Sequence, residues 1–120
     1  MFLSNLEKNG KINDTAIVFY SDRGQFANLF YYMFKLRDLG YERKLPLFFV
    51  MLPRKLADTF GENLRSYEQN LISIYDIYNL LNILAGSDSR SENGINILEK
   101  SEVSRCCLDL MLLKEFCICK

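Results

Sequence analysis

The amino-acid sequence predicts an α/β fold with a few parallel strands and flanking helices. Residues 16–20 and 45–52 are apolar runs of strand length in which polar and apolar side chains do not alternate. This pattern is typical of parallel strands covered on both faces. Residues 73–85 carry apolar side chains at helical spacing and predict a helix. Strands and helices that succeed one another along a chain favour a layered α/β architecture.

A short helix and the first strand open the chain. Residues 2–9 predict a helix that ends at Asn9-Gly10, a strong turn signal. The strand at 15–20 then leads into Ser21-Asp22-Arg23-Gly24. The sequence therefore places a carboxylate and a guanidinium at the carboxyl end of a strand that we expect to be buried.

The middle of the chain predicts a helix, a strand and a second helix. Residues 25–39 carry aromatic and aliphatic side chains at helical spacing, which we interpret as part of the core. The strand at 45–52 ends at Pro53, because proline lacks the N–H donor that a continuing strand needs. Residues 54–67 are amphipathic and predict a helix with a break near Gly61.

The helix at 73–85 has the clearest sequence signals. Ser73 and Asp76 match a capping box, and Gly86 stands where a helix commonly ends. We expect the apolar stripe to face the core; its members are Ile74, Ile77, Tyr78, Leu81 and Leu84. Residues 95–98 predict a short strand.

Composition excludes several classes of protein. The 120 residues suffice for one modest domain. The net charge is zero and no basic cluster is interleaved with aromatic residues, so we expect no nucleic-acid partner. We also expect no membrane span, since no uncharged apolar stretch reaches about 18 residues, and the N-terminal segment does not match a secretory signal. The chain has no histidine, so any chemistry must proceed without the usual general base near neutral pH.

The cysteines form a cluster at the C-terminal end. They are Cys106, Cys107, Cys117 and Cys119. One pair is adjacent and the other has the spacing C-x-C, which fits zinc poorly. A disulfide between one of the first two and one of the last two is the better interpretation, and three connectivities stay open. Disulfides imply an oxidising compartment, which conflicts with the missing signal unless the chain is part of a longer one.

Asn13-Asp14-Thr15 has the N-x-T pattern of a glycosylation site. We expect Thr15 to open a buried strand, so that a glycan on Asn13 would be tightly placed. A turn role is therefore favoured, and glycosylation stays open for a lumenal location.

Four motifs and the cysteine tail occur in an order that resembles the C-terminal part of the DUF229 family. The motifs are DTAIVFYSDRG, YERKLPLFFVMLP, IYDIYNLLNIL and GINIL. Family members read D-T-x-x-x-F-x-S-D-H-G, E-R-L-P-F-F-x-x-x-L-P and D-I-H-x-T-L-x-x-I-L, and end in C-x(9)-C-x-C. Cys107, Cys117 and Cys119 reproduce the last spacing. The resemblance implies part of a larger sulfatase-like sandwich of the alkaline phosphatase superfamily, with 1–100 as the C-terminal portion of that domain and 101–120 as a Cys-rich tail.

The resemblance also implies a metal site that has degenerated. The family position of Asp22 binds a divalent metal, zinc or calcium, so we interpret Asp22 as a vestigial ligand. Arg23 and Tyr78 stand where the family has histidines. A guanidinium has no lone pair to offer and brings a positive charge toward the metal. The family's nucleophile and several of its ligands lie upstream of the matched region, and we expect no cofactor to be retained.

Three functional hypotheses follow. The first is a fragment or truncated paralogue of a DUF229 sulfatase-like protein that lacks hydrolase activity on its own. The second is a part of an active metal-dependent phosphate or sulfate ester hydrolase, and the third is a non-catalytic interaction module. The expected location is extracellular or the lumen of the secretory pathway. The expected partner is the missing N-terminal part of the domain, while the oligomeric state is not predicted.

Overall fold

The computed structural model describes residues 2–22, 46–101 and 104–110, which form three α-helices and a two-stranded sheet. The elements in chain order are α1 Phe2–Lys8, β1 Ile17–Tyr20, β2 Phe48–Met51, α2 Arg54–Arg65 and α3 Ile74–Leu84. The mixed helix-and-strand class agrees with the sequence prediction, while the sandwich architecture stays a prediction. The helix predicted at 25–39 lies outside the described residues. None of the described helices has the length and apolar character needed to cross a membrane.

The two strands pair antiparallel, which corrects the expectation of parallel strands. The register places Ile17 opposite Met51 and Tyr20 opposite Phe48. The prediction was wrong because both strands carry apolar side chains on both faces. Without alternation, hydrophobic periodicity does not distinguish a parallel strand from an antiparallel one.

The two faces of the sheet have different environments. Val18, Phe48 and Val50 pack against the core. Successive side chains of a strand point to opposite faces, so Phe19 and Phe49 lie on the outer face, with ring centroids 6.4 Å apart. These rings are 41% and 51% exposed. The expectation that both faces are covered is therefore wrong at Phe19 and Phe49, although Ile17 is buried on the same face.

The hydrophobic core lies between the inner sheet face, α2, α3 and the segment after α3. Its buried members are Tyr67, Leu80, Ile97 and Leu98. Ile97 and Leu98 reach the core from a turn, so the strand predicted at 95–98 is corrected. The Leu98 carbonyl accepts a hydrogen bond from Asn63 Nδ2 at 2.7 Å. The Asn63 side chain thus takes the place of the backbone N–H that a neighbouring strand would donate to this carbonyl.

α2 runs without interruption from Arg54 to Arg65, and the break expected near Gly61 is absent from this helix. A glycine inside a helix lowers stability by about 1 kcal/mol relative to alanine. That loss does not interrupt a helix that packs on the core through Phe60 and Leu64. Packing has therefore overridden the local preference.

The ends of α3 confirm the sequence prediction. The Ser73 Oγ accepts the N–H of Asp76, and the Asp76 carboxylate accepts the N–H of Ser73 at 2.7 Å. This reciprocal pair is the predicted capping box. Gly86 follows the helix with φ of 71°, a left-handed conformation that favours glycine.

The buried face of α3 differs from the predicted apolar stripe. The exposed members of that stripe are Ile74, Tyr78 and Leu81. The buried residues of the helix are Asp76, Ile77, Asn79 and Leu80. The prediction was wrong because buried polar side chains that find hydrogen-bond partners do not register in a pattern of apolar residues.

Candidate functional site

Asp22 follows the carboxyl end of β1, where the sequence predicts it. The preceding Ser21 is held to Leu47 by two hydrogen bonds. The Ser21 N–H donates to the Leu47 carbonyl at 2.9 Å, and Ser21 Oγ accepts the Leu47 N–H at 2.8 Å. Asp22 is exposed and takes part in a further interaction. A fixed backbone therefore presents this carboxylate at the end of the sheet, while Arg23 lies outside the described residues.

Tyr78 lies on the surface of α3, which corrects the expectation that it belongs to the core. Its side chain is 46% exposed. The hydroxyl forms a hydrogen bond with Ser89 Oγ at 2.9 Å, in which either oxygen can donate. Tyr78 is exposed because α3 is oriented about its axis with the side of Leu80 toward the core.

The residues at the predicted metal positions do not fit zinc or calcium. Within 2–22, 46–101 and 104–110, no three His, Cys, Asp or Glu side chains gather as a possible metal site. Asp22 offers a carboxylate, but the Tyr78 hydroxyl is engaged by Ser89. Arg23 supplies no lone pair. A zinc site needs at least three protein ligands and calcium needs six or more oxygens.

Asp76 is a buried carboxylate that sequence analysis recognised only as a capping residue. Its Oδ2 accepts hydrogen bonds from the Ser73 N–H at 2.7 Å, the Ser73 hydroxyl at 2.9 Å and Arg105 Nη1 at 2.7 Å. Its Oδ1 accepts the Ile95 N–H at 2.7 Å. Burial of a carboxylate is tolerated only with such compensation. No spacing rule connects Asp76 with Arg105, so the sequence carried no signal for this pair.

Asn79 and Gly94 hold the loop after α3 against the helix. The Asn79 side chain exchanges two hydrogen bonds with the backbone of Ser91: Nδ2 donates to the carbonyl at 3.1 Å, and Oδ1 accepts the N–H at 2.7 Å. A Cβ atom at Gly94 would lie 2.7 Å from Asn79 Nδ2 and closer still to the Tyr75 carbonyl. Close backbone approach therefore requires glycine at this position.

An open cleft of about 740 Å³ lies beside the Asp76–Arg105 pair. Its polar lining residues are Tyr67, Asn96, Glu99, Lys100, Ser101 and Arg105. Arg105 is already paired with Asp76, and Ser101 Oγ accepts a hydrogen bond from Asn70 at 2.9 Å. The chain has no histidine to activate a serine. The described lining of the cleft offers groups that can hold a polar ligand.

The described cysteines differ in environment. Cys106 is exposed and its thiol is free, whereas Cys107 is buried and engaged in a further interaction. The Cys106 N–H donates to Asp109 Oδ2 at 2.7 Å. This hydrogen bond is the main reason that the pKa of the Asp109 carboxyl lies below its ordinary value of 3.8. Cys117 and Cys119 lie outside the described residues, so the pairing of the cysteines stays a prediction.

Asn13 is exposed in a 3-10 turn, Lys11–Asp14, that joins α1 to β1. The strand begins only at Ile17. Thr15 therefore precedes the strand, contrary to the expectation that it opens it. Asn13 therefore lies outside the strand, and a glycan on it would not be crowded by the sheet.

A family model described as "Protein of unknown function (DUF229)" matches residues 1–120. The match includes the end of β1, α3 and the cysteine tail. No curated protein and no solved structure gives a significant match. The same family is the one that the ordered motifs of the sequence resemble.

Proposed function

The chain belongs to the DUF229 family, and from this premise we propose that it is a portion of a sulfatase-like protein of the alkaline phosphatase superfamily. In this proposal the chain is a fragment or truncated paralogue, its metal site is degenerate, and it has no hydrolase activity on its own. The observation that carries the proposal is the position of Asp22 just beyond β1, followed in the sequence by Arg23 where the family pattern has histidine.

The position of Asp22 supports descent from a metal ligand. Two hydrogen bonds between Ser21 and Leu47 fix the backbone just before the acid. A carboxylate on a fixed backbone is a suitable ligand for a hard cation. The family pattern has its metal-binding acid at this position, so we infer that Asp22 is what is left of that ligand.

Two further positions of the family pattern support loss of the metal. Arg23 replaces an imidazole with a group that stays protonated and repels cations. Tyr78 replaces the histidine of the D-I-H motif, and its hydroxyl bonds to Ser89. The family's divalent cation, zinc or calcium, would polarise the ester oxygen when bound. We propose that this chain retains no such cofactor.

Calorimetric titration with zinc and with calcium tests the proposal. We expect no sub-micromolar site in the purified chain, and no cleavage of 4-nitrophenyl phosphate or 4-nitrophenyl sulfate. Ester cleavage that is abolished both by a chelator and by Asp22→Ala would overturn the proposal and favour an active hydrolase. Asp58→Ala is the matched control, because Asp58 is also an exposed acid but lies on α2.

The ancestry of Asp22 has a separate test. Arg23→His removes a fixed positive charge and supplies an imidazole beside the carboxylate. We expect this variant, combined with Tyr78→His to supply the third protein ligand that zinc needs, to bind zinc more tightly than the wild-type chain. The gain should disappear when Asp22→Ala is added. If the variant with both histidines binds zinc no better than the wild type, Asp22 is not a vestigial ligand.

The outer face of the sheet is apolar and exposed, which favours a contact with another part of the larger domain. The rings of Phe19 and Phe49 meet across the strands at an interplanar angle of 48° while about half exposed, and Leu47 is 63% exposed. Exposed apolar surface of this kind marks a contact site. We propose that the N-terminal part of the larger domain covers this face, which would account for strands that are apolar on both sides.

Two measurements test this assignment. Light scattering gives the oligomeric state, and the fluorescence of the apolar probe ANS reports the exposed apolar surface. We expect the isolated chain to be a monomer that binds the probe, and Phe19→Ser with Phe49→Ser to reduce the fluorescence. The matched control is Tyr75→Ser with Tyr78→Ser on the exposed side of α3. A stable oligomer that dissociates in the Phe19 and Phe49 variant would instead support the interaction module as the function.

The cysteine tail supports a location in the secretory pathway or outside the cell. We propose that Cys107 forms a disulfide with Cys117 or Cys119, in keeping with its burial and with a thiol that is not free. Thiol counting of the denatured protein, before and after reduction, tests the bond. Four thiols without reductant in protein purified from an oxidising compartment would overturn it.

A further inference from the structure

The sequence Asn13-Asp14-Thr15 lies at the surface, between α1 and β1. Asn13 is exposed, and its side chain forms no hydrogen bond within the described part of the chain. Three residues separate it from Ile17, where the strand begins. The Asn13 amide is therefore open to solvent on a turn, the setting in which N-x-T sequences accept glycans.

We propose that Asn13 is the acceptor of an N-linked oligosaccharide. Asn13 Nδ2 forms a bond to C1 of the oligosaccharide and gives up one proton. The bond between C1 and the terminal phosphate oxygen of a lipid-linked pyrophosphate donor breaks. The lipid pyrophosphate leaves with the electron pair of that bond. The inference does not depend on the hydrolase ancestry of the chain.

The bond made by Thr15 fixes the order of events. Thr15 Oγ1 donates a hydrogen bond to the Lys11 carbonyl at 2.7 Å. The transferring enzyme reads the hydroxyl at the third position of the sequence, and in the folded chain that hydroxyl is occupied. Transfer of the glycan is therefore expected to be faster before the 3-10 turn Lys11–Asp14 closes. The folded protein then carries the glycan without rearrangement, because Asn13 points away from the core.

Secretion of the full chain from a eukaryotic cell, directed by a heterologous signal sequence, tests the proposal. We expect a product that shifts by one glycan on treatment with peptide N-glycosidase. The enzyme converts the acceptor asparagine into an aspartate, which mass spectrometry locates at position 13. Asn13→Gln and Thr15→Val should abolish the shift, while Thr15→Ser should retain it, because serine also offers a hydroxyl.

A positive control comes from a second loop. Ser87→Asn creates Asn-Asp-Ser in the polar loop after α3, with the same middle residue as the natural site. Glycosylation of Ser87→Asn in the Asn13→Gln background, together with an unmodified Asn13 in the wild-type chain, would overturn the proposal. Glycosylation of the purified, folded protein at the rate seen for the unfolded chain would overturn the proposed order of events.

Discussion

Arg105 Nη1 lies 2.7 Å from Asp76 Oδ2, and the pair is almost withdrawn from solvent. The carboxylate is fully buried and the guanidinium is 13% exposed. The two residues are 29 positions apart in the sequence, so the pair ties the segment 104–110 to α3. Desolvation offsets much of the attraction inside such a pair. The effect of the pair on the free energy of unfolding is therefore largest when one partner is removed and the other stays buried.

Removal of the Arg105 side chain should be strongly destabilising. Arg105→Met leaves the Asp76 carboxylate buried without its counter-charge, and we expect the free energy of unfolding to fall by about 3–5 kcal/mol. The control is Arg65→Met, which breaks an ion pair with Glu62 whose side chains are 72% and 87% exposed. That change should lower stability by about 1 kcal/mol or less. Urea denaturation followed by circular dichroism measures both, and equal losses would contradict the expectation.

Neighbouring leucines of α3 should respond differently to truncation. Leu80 is fully buried while Leu81 is 39% exposed. We expect Leu80→Ala to lower the free energy of unfolding by about 2–5 kcal/mol, and Leu81→Ala to lower it by less than about 1 kcal/mol. Chemical denaturation of the two variants decides which face of the helix meets the core. A larger loss at Leu81 would restore the apolar stripe predicted from the sequence.

Two glycines should respond oppositely to an added methyl group. At Gly94 the new Cβ meets the Tyr75 carbonyl and Asn79 Nδ2, so Gly94→Ala should destabilise the fold by about 1–3 kcal/mol. At Gly61 no atom lies within 4 Å of the new Cβ. Gly61→Ala should therefore stabilise α2 by about 0.5–1 kcal/mol. Thermal melting of both variants tests the pair, and a stabilised Gly94→Ala would show that the loop lies farther from α3.

The Asp109 carboxyl should make stability depend on pH at the acid end. The hydrogen bond from the Cys106 N–H, aided by the Arg105 charge, lowers the pKa of Asp109 below 3.8 in the folded chain. A lowered folded pKa means that the contribution is present above the unfolded pKa and is lost as pH falls through the folded pKa. NMR titration of the carboxyl carbon measures the value directly. Asp109→Asn should remove this part of the acid dependence, and a titration midpoint above 3.8 would contradict it.

Local signals in the sequence predicted local structure well. Ser73 and Asp76 marked the start of α3 because a capping box involves residues only three positions apart. Gly86 marked its end for a similar reason. The pairing direction of the strands was wrong because it depends on how the chain travels between β1 and β2, and neither strand encodes that path.

The location of one candidate site residue was predicted, and its role as a ligand stays a proposal. Asp22 was placed correctly beyond β1 because a polar residue that ends an apolar run marks the end of a strand. Tyr78 was assigned to the core because its spacing fits an apolar stripe, but an aromatic side chain satisfies that pattern at the surface as well. Arg105 was missed because long-range ion pairs leave no periodic trace. Arg23 lies outside the described residues, so its role stays a prediction.

The tie between α3 and the segment that carries Cys106 and Cys107 has a consequence for the route of folding. The acceptor carboxylate of Asp76 is oriented by its own helix start, whereas Arg105 must close a long loop to reach it. The entropy cost of closing that loop must be met before the contact stabilises the fold, so we expect the pair to form after the capping box. A chain that loses the Asp76–Arg105 pair therefore releases the segment that carries Cys106 and Cys107 from α3.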